Sequence, residues 1–228
     1  MKKLILALML VTGMTGLAEA KKPKRTPPVA APIVALVPAI EPQNTLVLSL
    51  SNGGTVRIQL RPDKAPMQVE RTKLLVRSGF YDGIIFHRVI EGFMAQSGDP
   101  TGTGQGGSPL PDLKAEFNNI PHLRGVLSAA RTDQPDTANS QFFIVFQPNM
   151  KLDGKYTAFG RVVEGMAFVD SIERGEPPAN PSKILKAWIE SDGPNAARVA
   201  LVVPPPAPPV ATPPAPVFVP AEAPAPKP

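Results

Sequence analysis

Phe86-His87-Arg88-Val89-Ile90-Glu91-Gly92-Phe93-Met94-Ala95-Gln96-Ser97-Gly98-Asp99 sets one cation beside large apolar side chains and an uncharged amide. Such a set suits holding a peptide rather than hydrolysing one. Period-two alternation predicts two short strands turning at Glu91-Gly92. Phe86, Arg88 and Ile90 then share one face of the first strand, and Met94 and Gln96 share one face of the second. A second stretch, Ser140-Gln141-Phe142-Phe143-Ile144, repeats the device, with Gln141 and Phe143 alternating in the same way.

Further strands are expected on either side of these two stretches. Leu46, Leu48 and Leu50 alternate with small or polar residues, Ser51-Asn52-Gly53-Gly54 supplies turn chemistry, and Val56, Ile58 and Leu60 resume the alternation, which reads as a hairpin. Strands are also expected over residues 84–89, 93–97, 125–130, 141–146, 159–163 and 184–190. Pro66 opens a helix ending near Gly79, with Val69, Thr72 and Val76 along one face. A second helix is expected over residues 165–174, stopping at Gly175 before Pro177-Pro178. Many short strands with two helices suggest a mainly β domain, a closed antiparallel barrel with its ends covered. Alternation alone does not separate a barrel from a sandwich.

Proline and glycine mark the limits of this domain. Of the 30 prolines, 6 lie in residues 21–43 and 12 in residues 204–228, whereas every glycine beyond residue 20 falls between Gly53 and Gly193. Both proline-rich flanks are expected to be extended, polyproline-type and unable to bury a core. Residues 1–20 have the make-up of a secretory signal: Lys2 and Lys3, an apolar run from Leu4 to Val11, then small residues ending at Ala20. The expected organisation is a signal peptide (1–20), a Pro/Lys-rich linker (21–43), one folded domain (44–192) and a Pro/Ala-rich disordered tail (193–228). An exported and, given an outer membrane, periplasmic protein follows. The absence of cysteine suits an oxidising compartment. Net charge is +5, or +4 once Lys2, Lys3 and Glu19 are removed. Lys21-Lys22-Pro23-Lys24-Arg25 has no interleaved aromatics to stack bases, so no nucleic-acid partner is expected, nor any stable membrane insertion after signal cleavage.

The Phe-His-Arg stretch and the Gln-Phe-Phe stretch together resemble the paired signatures of the cyclophilins, the peptidyl-prolyl cis/trans isomerases. The resemblance implies a closed eight-stranded antiparallel β-barrel capped by two α-helices, acting on proline-containing unfolded or extended polypeptides without a cofactor. It assigns Arg88 the catalytic position. Phe93, Met94, Phe143 and Leu152 match the family's slot for the proline ring, and Gln96 and Gln141 match the amides that orient the substrate backbone. Ala130 and Arg131 match positions whose main chain pairs with the peptide, and Gly104 matches a pocket-lining glycine. Tyr156 stands where many members have His, and Lys151 stands where an aromatic, often Trp, is found, which implies weak cyclosporin binding. Phe142 and Ile144 are expected to face the core.

Other chemistries find less support. Gly102-Thr103-Gly104-Gln105-Gly106-Gly107 contains a G-x-G-x-x-G match, but Ser108-Pro109-Leu110-Pro111 cannot open the helix that a dinucleotide loop requires. A flexible, peptide-facing loop is the better reading. With only His87 and His122 and no cysteine, no metal site is expected. His87 is expected to be packed or hydrogen-bonded, His122 to lie in a loop, and Asp99, Asp112 and Glu116 to be turn or surface residues. No G-x-S-x-G elbow marks a hydrolase. The rival to an isomerase is a non-catalytic peptide-binding or chaperone module using the same groove. A third possibility is that the tail tethers the domain to a partner.

Overall fold

Leu46, Leu48 and Leu50 meet Val56, Ile58 and Leu60 across the first hairpin. Strands β1 (Thr45–Leu50) and β2 (Thr55–Leu60) pair antiparallel, with Leu46 opposite Ile58 and Leu48 opposite Val56. All six leucine, isoleucine and valine side chains are buried, so the alternation read in the sequence is the inner face of a sheet. The computed structural model describes residues 40–204. The expected signal peptide, nearly all of the linker and most of the tail lie outside the described residues.

Six more strands complete one antiparallel sheet: β3 (Arg88–Ile90), β4 (Met94–Ser97), β5 (Val126–Ala129), β6 (Phe142–Val145), β7 (Ala158–Glu164) and β8 (Ile184–Ile189). Their spatial order is β3-β4-β6-β5-β7-β2-β1-β8. The expected eight strands are present, but the closed barrel is not. The sheet curls into an open half-barrel whose edges, β3 and β8, form no ladder with each other. The reason lies at β3. Val89 exchanges both backbone hydrogen bonds with Gly175, at 2.8 and 2.9 Å, so a loop occupies the edge that a closing strand would need. Only single bridges just ahead of β3, such as Phe86 N–H to the Ser182 carbonyl at 2.9 Å, reach toward β8.

Two helices accompany the sheet. Helix α1 (Pro66–Ser78) starts with proline at its first position and buries Val69, Thr72, Leu75 and Val76. Its N-terminal N–H groups are capped from afar: the Glu116 carboxylate accepts from Met67 N–H at 3.0 Å and Gln68 N–H at 2.9 Å. Glu116 is therefore a helix cap rather than a simple surface residue. Gly79, at φ +80°, ends the helix in the left-handed conformation. Helix α2 spans only Met166–Asp170, shorter than expected, because the chain must turn after Ser171 to bring Gly175 alongside Val89.

The sheet has two working faces. Val89, Ala95, Ile144 and Leu127 enter the main core with Phe142, as expected for Phe142 and Ile144. The opposite face carries Met94, Phe143, Val145 and Val126, which form a second, smaller cluster with Ile90, Phe93, Leu152 and Tyr156. Phe86 departs from its expected place. It is fully buried in the main core, not on the face of Arg88 and Ile90. Regular strand begins only at Arg88, so alternation does not carry back to residue 86. Beyond Asp192 the chain stays attached to the domain. The Arg198 guanidinium donates to the Val76 carbonyl at 2.9 Å, Val199 N–H bonds to the Arg77 carbonyl at 3.0 Å, and Leu201 packs on the main core.

Candidate functional site

Strand register brings the chosen side chains into line. Arg88 lies opposite Gln96 in the β3–β4 ladder, Gln96 opposite Phe143 in β4–β6, and Phe143 opposite Ser128 in β5–β6. The adjacent row is Ile90, Met94 and Val145. Because side chains at paired positions share a face, the row of Arg88, Gln96 and Phe143 stands beside the apolar row, and Phe143, Met94 and Val145 belong to the second cluster.

Above them lies a cleft of about 110 Å³, lined by Arg88, Phe93, Met94, Gln96, Ala130, Arg131, Phe143, Leu152 and Tyr156. A wider polar cavity of about 600 Å³ adjoins it and shares Gln96, Ala130 and Arg131. Gly104 and Gln141 line this second cavity, together with Asp112, Asp133 and Asn139. All eleven residues singled out in the sequence thus lie around two contiguous hollows.

Arg88 is held at one end. Its Nε donates to Glu176 Oε2 at 2.8 Å, while among the described residues neither Nη group has a partner. Both side chains are about half exposed. Glu176 was not signalled by the sequence, since its loop is brought to β3 only by the Val89–Gly175 pairing. Gln96 Nε2 donates to Gln141 Oε1 at 2.8 Å, and Gln141 Nε2 donates to the carbonyls of Gly104 at 3.0 Å and Gly106 at 2.8 Å. The two amides are therefore tied to each other and to the glycine-rich loop. That loop is anchored by hydrogen bonds from Gln141 and to the Asp99 carboxylate rather than left free as expected.

Phe143 is fixed from two sides. Tyr156 meets it edge-on at 5.7 Å and His122 stacks on it at 6.3 Å. His122 lies in the loop expected of it, but its ring is buried, only 1 % exposed. His122 Nδ1 lies 2.8 Å from Asp153 Oδ1 and Nε2 lies 3.0 Å from Ser128 Oγ. This connectivity matches a Ser-His-Asp relay, yet Ser128 is fully buried and lines neither hollow. No substrate carbonyl could reach it, so the relay braces Phe143 and the 150s loop. The hydrogen bonds from the His122 backbone and ring hold the Asp153 carboxyl below its ordinary pKa.

Arg131 does more than its main chain suggested. Its Nε and Nη2 donate to the Lys155 carbonyl at 3.1 and 2.8 Å, and the guanidinium lies 4.6 Å from the Tyr156 ring centroid. It binds one wall of the cleft to the other. Lys151, in the 3₁₀ turn Met150–Leu152, is exposed and does not line the cleft. His87 is packed beneath the glycine-rich loop with neither ring nitrogen hydrogen-bonded among the described residues, and burial pushes its pKa below the ordinary value. Asp99 is no surface residue, being 1 % exposed. Burial opposes its ionisation, but donors from Thr101, Gly104 and Gly106 outweigh that and hold its pKa at about 2. Among the described residues no group of three or more His, Cys, Asp or Glu side chains could hold a metal ion.

Residues 45–189 match the family model for cyclophilin type peptidyl-prolyl cis-trans isomerases. The chain belongs to the cyclophilin family. A probable peptidyl-prolyl cis-trans isomerase of Brucella suis biovar 1 is 47 % identical to this cyclophilin over 170 residues, 68 % of this chain and 86 % of the relative. Peptidyl-prolyl cis-trans isomerase B of Bacillus subtilis is 43 % identical over 129 residues, 56 % of this chain and 89 % of the relative. Among solved structures, the cyclophilin AquaCyp293 from Hirschia baltica superposes with a TM-score of 0.62 at 30 % identity, covering 67 % of this chain and 76 % of that one. A Cryptosporidium parvum cyclophilin, studied in the presence of the dipeptide Ala-Pro, gives 0.59 at 29 % identity over 64 % of this chain and 98 % of that one.

Proposed function

We propose that this cyclophilin accelerates rotation about X-Pro bonds of exported polypeptides by binding the twisted amide more tightly than either planar form. Isomerase activity itself follows from the family. The uncatalysed rotation faces a barrier of about 18–20 kcal/mol because the amide must lose resonance. No nucleophile is needed for it. Each 1.36 kcal/mol or so of preference for the twisted state gives about a tenfold rate gain.

The single observation that carries the mechanism is Arg88 anchored by Glu176 at the edge of an apolar cleft. Twisting pyramidalises the prolyl nitrogen and raises its power to accept a hydrogen bond. A guanidinium held through Nε can donate from its remaining N–H groups at that moment. Phe93, Met94, Phe143 and Leu152 supply the apolar surface for the ring, while Gln96 and Gln141 orient the peptide backbone. Proline-containing substrates accord with the Ala-Pro dipeptide used with the Cryptosporidium parvum neighbour.

The test is a protease-coupled proline isomerisation assay on residues 21–228, wild type against Arg88→Ala. Loss of rate in the variant supports the mechanism. Equal rates remove Arg88 from it, and inactivity of both favours a peptide-binding module. Export to the periplasm rests on Lys2, Lys3, the Leu4–Val11 apolar run and Ala20. Expression of the full chain in a bacterium with an outer membrane, followed by fractionation and N-terminal sequencing, should find a periplasmic form beginning at Lys21. Retention in the cytoplasm at full length would overturn it.

A further inference from the structure

Asp99 is a buried carboxylate beside the loop to which the Gln141 amide is tied. Asp99 follows β4 and lines neither hollow. Its Oδ1 accepts from Thr101 N–H at 2.7 Å and Thr101 Oγ1 at 2.8 Å, and its Oδ2 accepts from Thr103 N–H at 3.0 Å and Gly104 N–H at 2.6 Å. The loop thus wraps one fully ionised group. Its closeness depends on glycine: a Cβ on Gly106 would sit 2.1 Å from Asp99 Oδ1. His87 lies under the same loop but gives it no hydrogen bond, so the carboxylate is the group that sets the loop's path.

The path matters because the carbonyls of Gly104 and Gly106 take both hydrogens of Gln141 Nε2. Flipping that amide would set its oxygen against two carbonyl oxygens, so the orientation is determined. Gln141 Oε1 must then face Gln96 Nε2, which bonds to it at 2.8 Å. Gln96 in turn keeps one N–H and its carbonyl oxygen for a peptide. We infer that Asp99 is a positioning residue for the isomerase site, acting through the 101–106 loop to polarise the Gln141–Gln96 pair in one direction. Asparagine cannot replace it, since one of its two terminal atoms would present N–H groups to N–H donors.

This inference rests on the isomerase reading, and a double-mutant cycle on residues 21–228 separates the two. Asp99→Asn is expected to lower kcat/KM about tenfold, and Gln141→Leu to lower it comparably. The double variant should fall no further than about twofold below Gln141→Leu alone. Side-chain amide resonances of Gln141 and Gln96 should shift in Asp99→Asn while most backbone amides stay in place. Multiplicative losses near a hundredfold, or an unchanged kcat/KM in Asp99→Asn, would overturn the role of Asp99; an inactive wild type would sink the isomerase reading instead. Should Asp99→Asn fail to fold, Thr101→Val removes only one hydroxyl donor. Its smaller loss must likewise vanish in the Gln141→Leu background, and persistence there overturns the inference.

Discussion

Removing the Arg88 guanidinium should abolish most of the catalysis and little of the stability. A preorganised donor aimed at charge that develops in the transition state is worth about 10²–10³ in kcat. Arg88 is 42 % exposed on its side chain, so solvent screens part of its field and the lower end of that range applies. Arg88→Ala should therefore lose about a hundredfold in kcat, with KM changed by less than about threefold, because the contact forms only when the amide is twisted. The cost to folding is set separately by the ion pair with Glu176, whose two side chains are 42 % and 51 % exposed. Exposed pairs of this kind contribute at most about 1 kcal/mol. Arg88→Lys keeps the charge but not the rigid fork, and should fall between wild type and alanine. The assay is proline isomerisation followed by protease coupling, with a urea melt of each variant as the folding control. An Arg88→Ala protein that melts normally and retains a rate within twofold of wild type would refute the reasoning.

Three other outcomes follow from the packing. Burial lowers the pKa of His87 in the folded state, so the unfolded chain binds its proton more readily. Stability contributed here is complete above the unfolded value near 6.5 and is lost as pH falls toward the folded value; urea melts from pH 7 downward should show this slope, and His87→Phe should flatten it. Gly98 sits at φ +92°, and a Cβ there would lie 2.3 Å from the Ser140 carbonyl oxygen, so Gly98→Ala should cost at least about 2 kcal/mol by denaturant melt. An undiminished melt would show that the backbone at Ser140 yields easily. Lys151 offers no flat apolar surface, so calorimetry should find weak cyclosporin binding with catalysis retained, and Lys151→Trp should tighten it; a tight complex with the wild type would contradict this.

Much of the site was readable because strand geometry is local. Alternation alone set Gln96 with Met94 and Gln141 with Phe143, and register then aligned Arg88, Gln96 and Phe143. The same logic failed at Phe86, where the strand had not yet begun. It also had no access to residues whose roles depend on distant partners. Glu176 reaches Arg88 across 88 positions, and His122 reaches Asp153 across 31. The burial of Asp99 could not be read because most of its partners are backbone N–H groups, which carry no side-chain signature.

The amino-acid order by itself determined the strands, the first helix and its glycine stop, and the motif residues. These follow from side-chain periodicity and backbone preference over a few neighbouring residues. Tertiary structure decided that the sheet stays open, because Gly175 takes the β3 edge, and it decided which polar groups are buried together. Those outcomes depend on hydrogen bonds and packing between segments far apart in the chain, where no short pattern specifies the partner.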